Sequence, residues 1–315
     1  MSAGCALNPE DVIVTCGCQE ALILCLSAVA KRGDTIAVES PAYFGVLQAL
    51  EALGMKALEL PTDPCDGIDI AALRRVARAK KVRAVIVNPN HQNPMGFVMS
   101  DERKRALLDV IQKLKLPLIE DDCYGDLGYT TRRPSCIKGM DDSGLVLLCG
   151  SFSKTLAPGM RIGWCAPGKW REKVEKLKFC TSIAAPTLSQ QVIARYLEQG
   201  GSFDRYLRRV TRLYQQHTCT AASKIIASFP PGTRVTMPKG GYVVWVEMPK
   251  SVDSMKLYER CLPDGICIAP GPMFSPSGRY RNFVRLSFAS PWSAQVERWI
   301  ETIGTHAKAL TVTKG

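Results

Sequence analysis

A mainly α/β fold with a largely parallel sheet, followed by a smaller α+β lobe, is predicted by three observations. Short β-rich runs alternate with helical stretches along most of the chain, the rhythm of strand, crossover and parallel strand. Glycines and polar groups gather just after the apolar runs, where an open parallel sheet places its functional loops. The alternation then stops at a long helical stretch, Phe203 to roughly Phe229, beyond which the pattern resembles paired strands.

The strands are expected at 11–16, 35–39, 56–61, 83–88, 116–121, 145–150 and 161–167. Helices are expected over Gln19–Lys31, Phe44–Leu53, Ile70–Arg78 and Ser100–Leu114. In the second lobe, "TRVTMPKGGYVVWVEMP" (233–249) is expected to form a strand pair bent at Gly-Gly. A helix over 255–262, a strand at 266–269 and the run 282–289 follow.

The 315 residues, 46% hydrophobic and 22% charged, suffice for a large core in one or two domains. The apolar run Ala21–Ala30 is too short to cross a bilayer and no charged region precedes it as in a signal peptide, so a cytoplasmic location is expected. Thirteen cysteines scattered singly read as reduced thiols. With three histidines and none near a cysteine pair, a zinc site is not expected. The net charge of +12 sits mostly on helical faces without interleaved aromatics, which reads as solvated surface rather than a nucleic-acid groove.

Five strand-end loops carry candidate chemistry. After "VTC", the amides of Gly17, Cys18 and Gln19 open a helix and suit an anion. Tyr43 in "ESPAYF" could stack on a flat ligand or be an ordinary loop aromatic. Asn93 in "NHQNPMG" offers an amide from an extended loop ahead of Pro94, or is a turn asparagine. In "IEDDCYGDL", three adjacent acids either mark a metal or turn one carboxylate, Asp121, toward a cation while the others face solvent or cap a helix. Finally, "GSFSKTLAPGMRIGW" joins Lys154 to Ser151, Ser153 and Arg161; alone, such a lysine is as readily a surface charge. Their conjunction at one edge of one sheet is what makes them specific.

These motifs, with "IAPGPMFSPSGRYRNFVRLSFA", resemble the fold-type I pyridoxal 5′-phosphate enzymes of the aspartate aminotransferase superfamily. The sequence is most similar to the aminotransferase-like effector domain of MocR-type regulators of the GntR family. The resemblance implies a three-layer α/β/α domain with a mostly parallel mixed sheet (1–217) and a small C-terminal domain (218–315). It implies pyridoxal 5′-phosphate as cofactor, joined to Lys154 as a Schiff base. Ser151, Ser153, Arg161 and the amides of Gly17, Cys18 and Gln19 would hold its phosphate. Asp121 would pair with the ring nitrogen, Asn93 and Tyr124 with the phenolic oxygen, and Tyr43 would cover the ring; Arg285 would bind the substrate carboxylate.

The implied function is a sensor of amino or 2-oxo acids within a transcriptional regulator. An active aminotransferase is the alternative, and a dimerisation module without cofactor is disfavoured by Lys154, Asp121 and Arg161. A homodimer is expected. Family members carry an N-terminal arm ahead of the first strand read here, so the sequence is expected to be a fragment or a shortened relative. DNA binding is expected only through a winged helix outside this sequence.

Overall fold

The computed structural model describes residues 3–312, so positions 1–2 and 313–315 at the ends of the two expected domains lie outside it. The chain begins with β1 (Ile13–Thr15), α1 (Cys18–Val29), β2 (Thr35–Ser40), α2 (Phe44–Ala52), β3 (Lys56–Asp63) and β4 (Gly67–Ile68). Next come α3 (Ile70–Ala79), β5 (Val82–Val87), α4 (Asp101–Leu114), β6 (Leu118–Asp121), β7 (Val146–Ser151) and β8 (Gly163–Ala166). These strands form one sheet in the order β1-β8-β7-β6-β5-β2-β3-β4. The β3-β2-β5-β6-β7 stretch is parallel, and β1, β4 and β8 join antiparallel.

The sequence explains this arrangement locally. Ile36, Val38, Leu118, Ile119 and Val146 to Cys149 are almost wholly buried, as strands covered on both faces must be. Helix α4 starts where the Ser100 hydroxyl accepts from the Arg103 amide at 3.2 Å, and it turns Leu107, Leu108, Val110 and Ile111 inward. Between β2 and β5 the strand order reverses, and the carboxyl ends of such strands diverge into a crevice. The functional loops follow β2, β5, β6 and β7, on both sides of that reversal.

Beyond β8 come α5 (Arg171–Thr181), α6 (Thr187–Glu198) and α7 (Ser202–Ser228), a helix of 27 residues. The packing partners change along α7. Leu207 packs with Cys123, Tyr124 and Leu127 of the first sheet's loops, whereas Ala221 and Ile225 belong to a separate core. That second core covers an antiparallel sheet, β11-β12-β10-β9, made of β9 (Arg234–Thr236), β10 (Val243–Glu247), β11 (Ala269–Pro270) and β12 (Phe283–Ser287). Helices α8 (Ser254–Cys261) and α9 (Ala294–Val312) complete it.

All seven expected strands of the large sheet are present. Several elements were not anticipated: the two-residue β4, helices α5 and α6, and α9, which follows the last motif read in the sequence. One expectation needs correction. Residues 93–95 form a turn, not an extended loop, because the Gln92 side chain accepts from the Met95 amide at 2.9 Å and an Asn90–Val98 bridge closes the loop behind it.

Candidate active site

The anion end of the site begins at α1. Gly17 caps this helix with φ 85, a left-handed conformation that leaves the first amides of α1 pointing outward. The Arg161 guanidinium lies directly against it: a β-carbon on Gly17 would sit 2.3 Å from Arg161 Nη2. Arg161 is fixed by donating from Nη2 to the Cys16 carbonyl at 2.9 Å and from Nη1 to the Pro158 carbonyl at 3.2 Å. Its Nη1 also lies 3.5 Å from Ser153 Oγ. Ser151, the last residue of β7, receives the Ser153 amide at 3.0 Å and donates to Ser153 Oγ at 2.8 Å. Two hydroxyls, one guanidinium and a helix N-terminus thus surround one point.

The acidic end lies at the tip of β6. Asp121 is 7% exposed, and burial raises its carboxyl above the usual range. Its Oδ1 accepts from the Cys123 amide at 3.1 Å. The neighbouring acids depart from expectation, since both are buried instead of facing solvent or capping a helix. Glu120 accepts from the amides of Ile137 and Lys138 at 2.8 and 2.9 Å, and Asp122 pairs with Arg133 at 2.6 Å. Both oxygens of Glu120 and of Asp122 accept hydrogen bonds, whereas the donors to the Asp121 carboxylate reach Oδ1, so Asp121 is the acid of the three that faces the cleft with an oxygen to spare.

Lys154 follows β7 in a turn, half-buried, and its ammonium has no ion-pair partner among the described residues. One cleft is lined by Lys154, Asp121, Ser151, Ser153, Arg161, Cys18, Gln19, Tyr43, Asn93 and Tyr124, joined by Leu22 and Cys123. Tyr124 is buried against Tyr242 with ring centroids 5.6 Å apart, and burial raises its hydroxyl well above the ordinary value. Tyr43 is half-buried at the start of α2, and burial raises its hydroxyl too.

Arg285 reaches this cleft from β12 in the second sheet. Its Nη1 donates to Asn93 Oδ1 at 3.1 Å, and its guanidinium lies between the rings of Phe44 and Phe274, 5.6 and 5.4 Å from their centroids. Its Nε is buried without a partner. A fork held by rings and left short of acceptors has donors free for a planar anion.

The sequence analysis overlooked two supporting residues. Asn88 Nδ2 donates to the Asp121 carbonyl at 2.5 Å, and Asn88 Oδ1 accepts from the Asn93 amide at 2.8 Å, so one side chain ties two site residues together. Glu39, fully buried, accepts from the Asn88 amide at 3.0 Å. Asn88 stands directly after β5, so the strand-end logic that selected Asn93 applies to it equally.

This cradle suits a flat, phosphorylated aldehyde with a basic ring nitrogen, and comparison with known proteins leads to the same group. The model of the family "Aminotransferase class I and II" matches residues 1–303. The chain belongs to the class I and II aminotransferase family. An HTH-type transcriptional regulator of Escherichia coli, YjiR, is 38% identical over 304 residues, covering 96% of this chain. The chain spans 64% of that regulator's length. Aromatic-amino-acid aminotransferase 1 of Thermococcus litoralis is 31% identical over 90% of this chain and 69% of its own.

Among solved structures, the α-aminoadipate aminotransferase LysN of Thermus thermophilus superposes with a TM-score of 0.90 at 30% identity, covering 97% of this chain and 79% of its own. That structure holds N-(5′-phosphopyridoxyl)-L-leucine. The aminotransferase fold and the expected cofactor class, pyridoxal 5′-phosphate, are thereby borne out.

Proposed function

We propose that this chain is a pyridoxal 5′-phosphate-holding sensor domain of the kind joined to a helix-turn-helix module, responding to an amino acid or 2-oxo acid. The observation that carries the cofactor reading is the cleft in which Lys154, Asp121 and the Arg161 cradle face one another. The regulatory reading rests on the 38% identity to an HTH-type regulator.

Once bound, the cofactor would supply an electron sink for the pair left at Cα when an attached amino acid gives up its Cα proton to a base. The chain's residues divide the remaining work. Arg161, Ser151, Ser153 and the amides of Gly17, Cys18 and Gln19 hold the phosphate. Asp121 shares a proton with the ring nitrogen, which relieves the unpaired burial of its own carboxylate. Tyr43 covers the ring, while Asn93 and Tyr124 serve its phenolic oxygen. Lys154 would hold the aldehyde covalently at rest and, once an amino acid has taken its place, its freed amine would carry a proton at the substrate Cα. Arg285 holds the substrate carboxylate.

A second reading, a working aminotransferase, is favoured by the Arg285–Asn93 pair, which puts a carboxylate receptor beside the lysine cleft. Both readings place the division between the lobes within α7, at 217/218, where its packing partners change. Both place the protein in the cytoplasm as a homodimer. In support, the cysteines are free and Phe179, Ile183 and Leu188 are 70%, 71% and 79% exposed. No helix among the described residues is long and apolar enough to cross a membrane.

The test is titration with pyridoxal phosphate, followed by borohydride reduction and peptide mass analysis. Label is expected on Lys154 and absent from Lys154→Ala; a label on another lysine sinks the assignment. Adding amino and 2-oxo acids to the loaded protein then separates the readings. A sensor releases no more than about one equivalent of product, whereas an enzyme turns over repeatedly.

A further inference from the structure

The floor of the cleft contains two thiols that the cofactor reading leaves idle. Cys18 opens α1 and Cys123 follows β6, 105 positions later in the chain, yet the fold brings both thiols beside Asp121 in one cleft. Cys18 Sγ is 3.8 Å from Asp121 Oδ1, and the two sulfurs and a carboxylate oxygen all lie within 4.8 Å of one another. In a tetrahedral zinc site, with metal distances of about 2.3 Å to sulfur and about 2.1 Å to oxygen, neighbouring donors stand roughly 3.6–3.8 Å apart. The cluster therefore needs a contraction of about 1 Å at most to meet that geometry. Among the described residues no other trio of metal-binding side chains converges in this way.

We propose that Cys18, Cys123 and Asp121 form a binding site for a thiophilic divalent cation of the zinc class, which overlaps the cofactor site and competes with it. On binding, the two S–H bonds give up their protons to solvent, two metal–sulfur bonds and one metal–oxygen bond form, and a water fills the position facing the cleft. No electron is transferred.

The charges accommodate this event. Two thiolates and a carboxylate outweigh a dication by one negative charge, and Lys154 and Arg161, which line the same cleft, repel a free cation but tolerate that anionic complex. Sequence spacing hid the site because the ligands meet only after β6 docks beside α1. The shared ligand is Asp121, so a metal held there takes the carboxylate from the ring nitrogen.

The probe is Co²⁺ added to the full chain, reduced and freed of cofactor and metal. One equivalent is expected to produce thiolate-to-cobalt charge-transfer bands with tetrahedral d–d absorption, and Zn²⁺ is expected to erase them. Cys18→Ser and Cys123→Ser should each weaken binding by more than about tenfold, while Cys65→Ser, at an exposed position, should not. Circular dichroism melts establish that the variants fold. Alkylation of the wild type provides a readout without substitution: Zn²⁺ should protect Cys18 and Cys123 together.

Bands that survive both serine variants, or protection confined to exposed cysteines, overturn the site. Equal Co²⁺ affinity with and without bound pyridoxal phosphate overturns the competition. Failure of pyridoxal phosphate to label Lys154 would instead remove the proposed function and leave the metal site standing.

Discussion

Single residues divide into those whose chemistry announces itself and those that act through others. Lys154, Asp121 and Arg161 were legible because each sits in a short motif beside an apolar strand, where a charge stands out against its neighbours. Glu39 was not legible. A glutamate ending β2 looks like any strand-end acid until the fold buries it, with Oε2 taking the Asn88 amide and Oε1 left without a partner. Burial lifts its carboxyl from 4.5 to about 8. The sign follows directly. From pH 4.5 to about 8 the folded chain keeps a proton that the unfolded chain has released, so this contribution is full below pH 4.5 and is lost as pH rises through 8. Relative to Glu39→Gln, the wild type should lose on the order of 1 kcal/mol per pH unit across that window. Melting both proteins from pH 5 to 9 checks this, and parallel curves would contradict it.

Elements carry the second layer of information. The large sheet was legible because buried parallel strands are near-continuous apolar runs, and their ends place Tyr43, Asn93, Asp121 and Ser151 along one edge. Two-residue β4 is too short to leave a pattern. The α9 helix does leave one, in the inward-facing Ile300, Ile303, Ala307 and Leu310, but it lies beyond the motifs that carry the site. The turn at 93–95 was illegible because it is set by the Gln92 side chain folding back on Met95, a contact that no spacing rule encodes.

The element with most consequence for binding is the α1 N-terminus, where Gly17 has φ 85 and Arg161 leaves no room for a β-carbon. Gly17→Ala should displace that guanidinium and cost about 1 kcal/mol in backbone strain. Cofactor affinity, followed by absorbance titration, should fall by about tenfold or more, since one charged partner of the phosphate moves by ångströms. Gly159→Ala, in the loop that carries Arg161 and with nothing within 4 Å of the added carbon, is the matched control and should bind normally.

At the scale of the whole molecule, α7 couples a cleft to a lobe. Its first half touches the loop that carries Tyr124 and its second half enters the core beneath β10 and β12, the strand of Arg285. A ligand that joins Arg285 to the Lys154 cleft therefore bridges both sheets, a geometry through which a small acid could alter lobe closure. A second copy is the remaining partner to account for. The α5–α6 junction leaves Phe179, Ile183 and Leu188 more than two-thirds exposed, with Val192 one turn beyond Leu188 at 50%. Side chains of this size gain about 2 kcal/mol each on burial, to set against an association cost of about 4–15 kcal/mol, so this face is where an expected homodimer would pair. Sedimentation velocity should show a wild-type dimer, and Ile183→Glu with Leu188→Glu should sediment as a monomer that still takes up one pyridoxal phosphate per chain. A wild type that is monomeric throughout the micromolar range would remove the dimer, and an undisturbed dimer in the double variant would move the interface elsewhere.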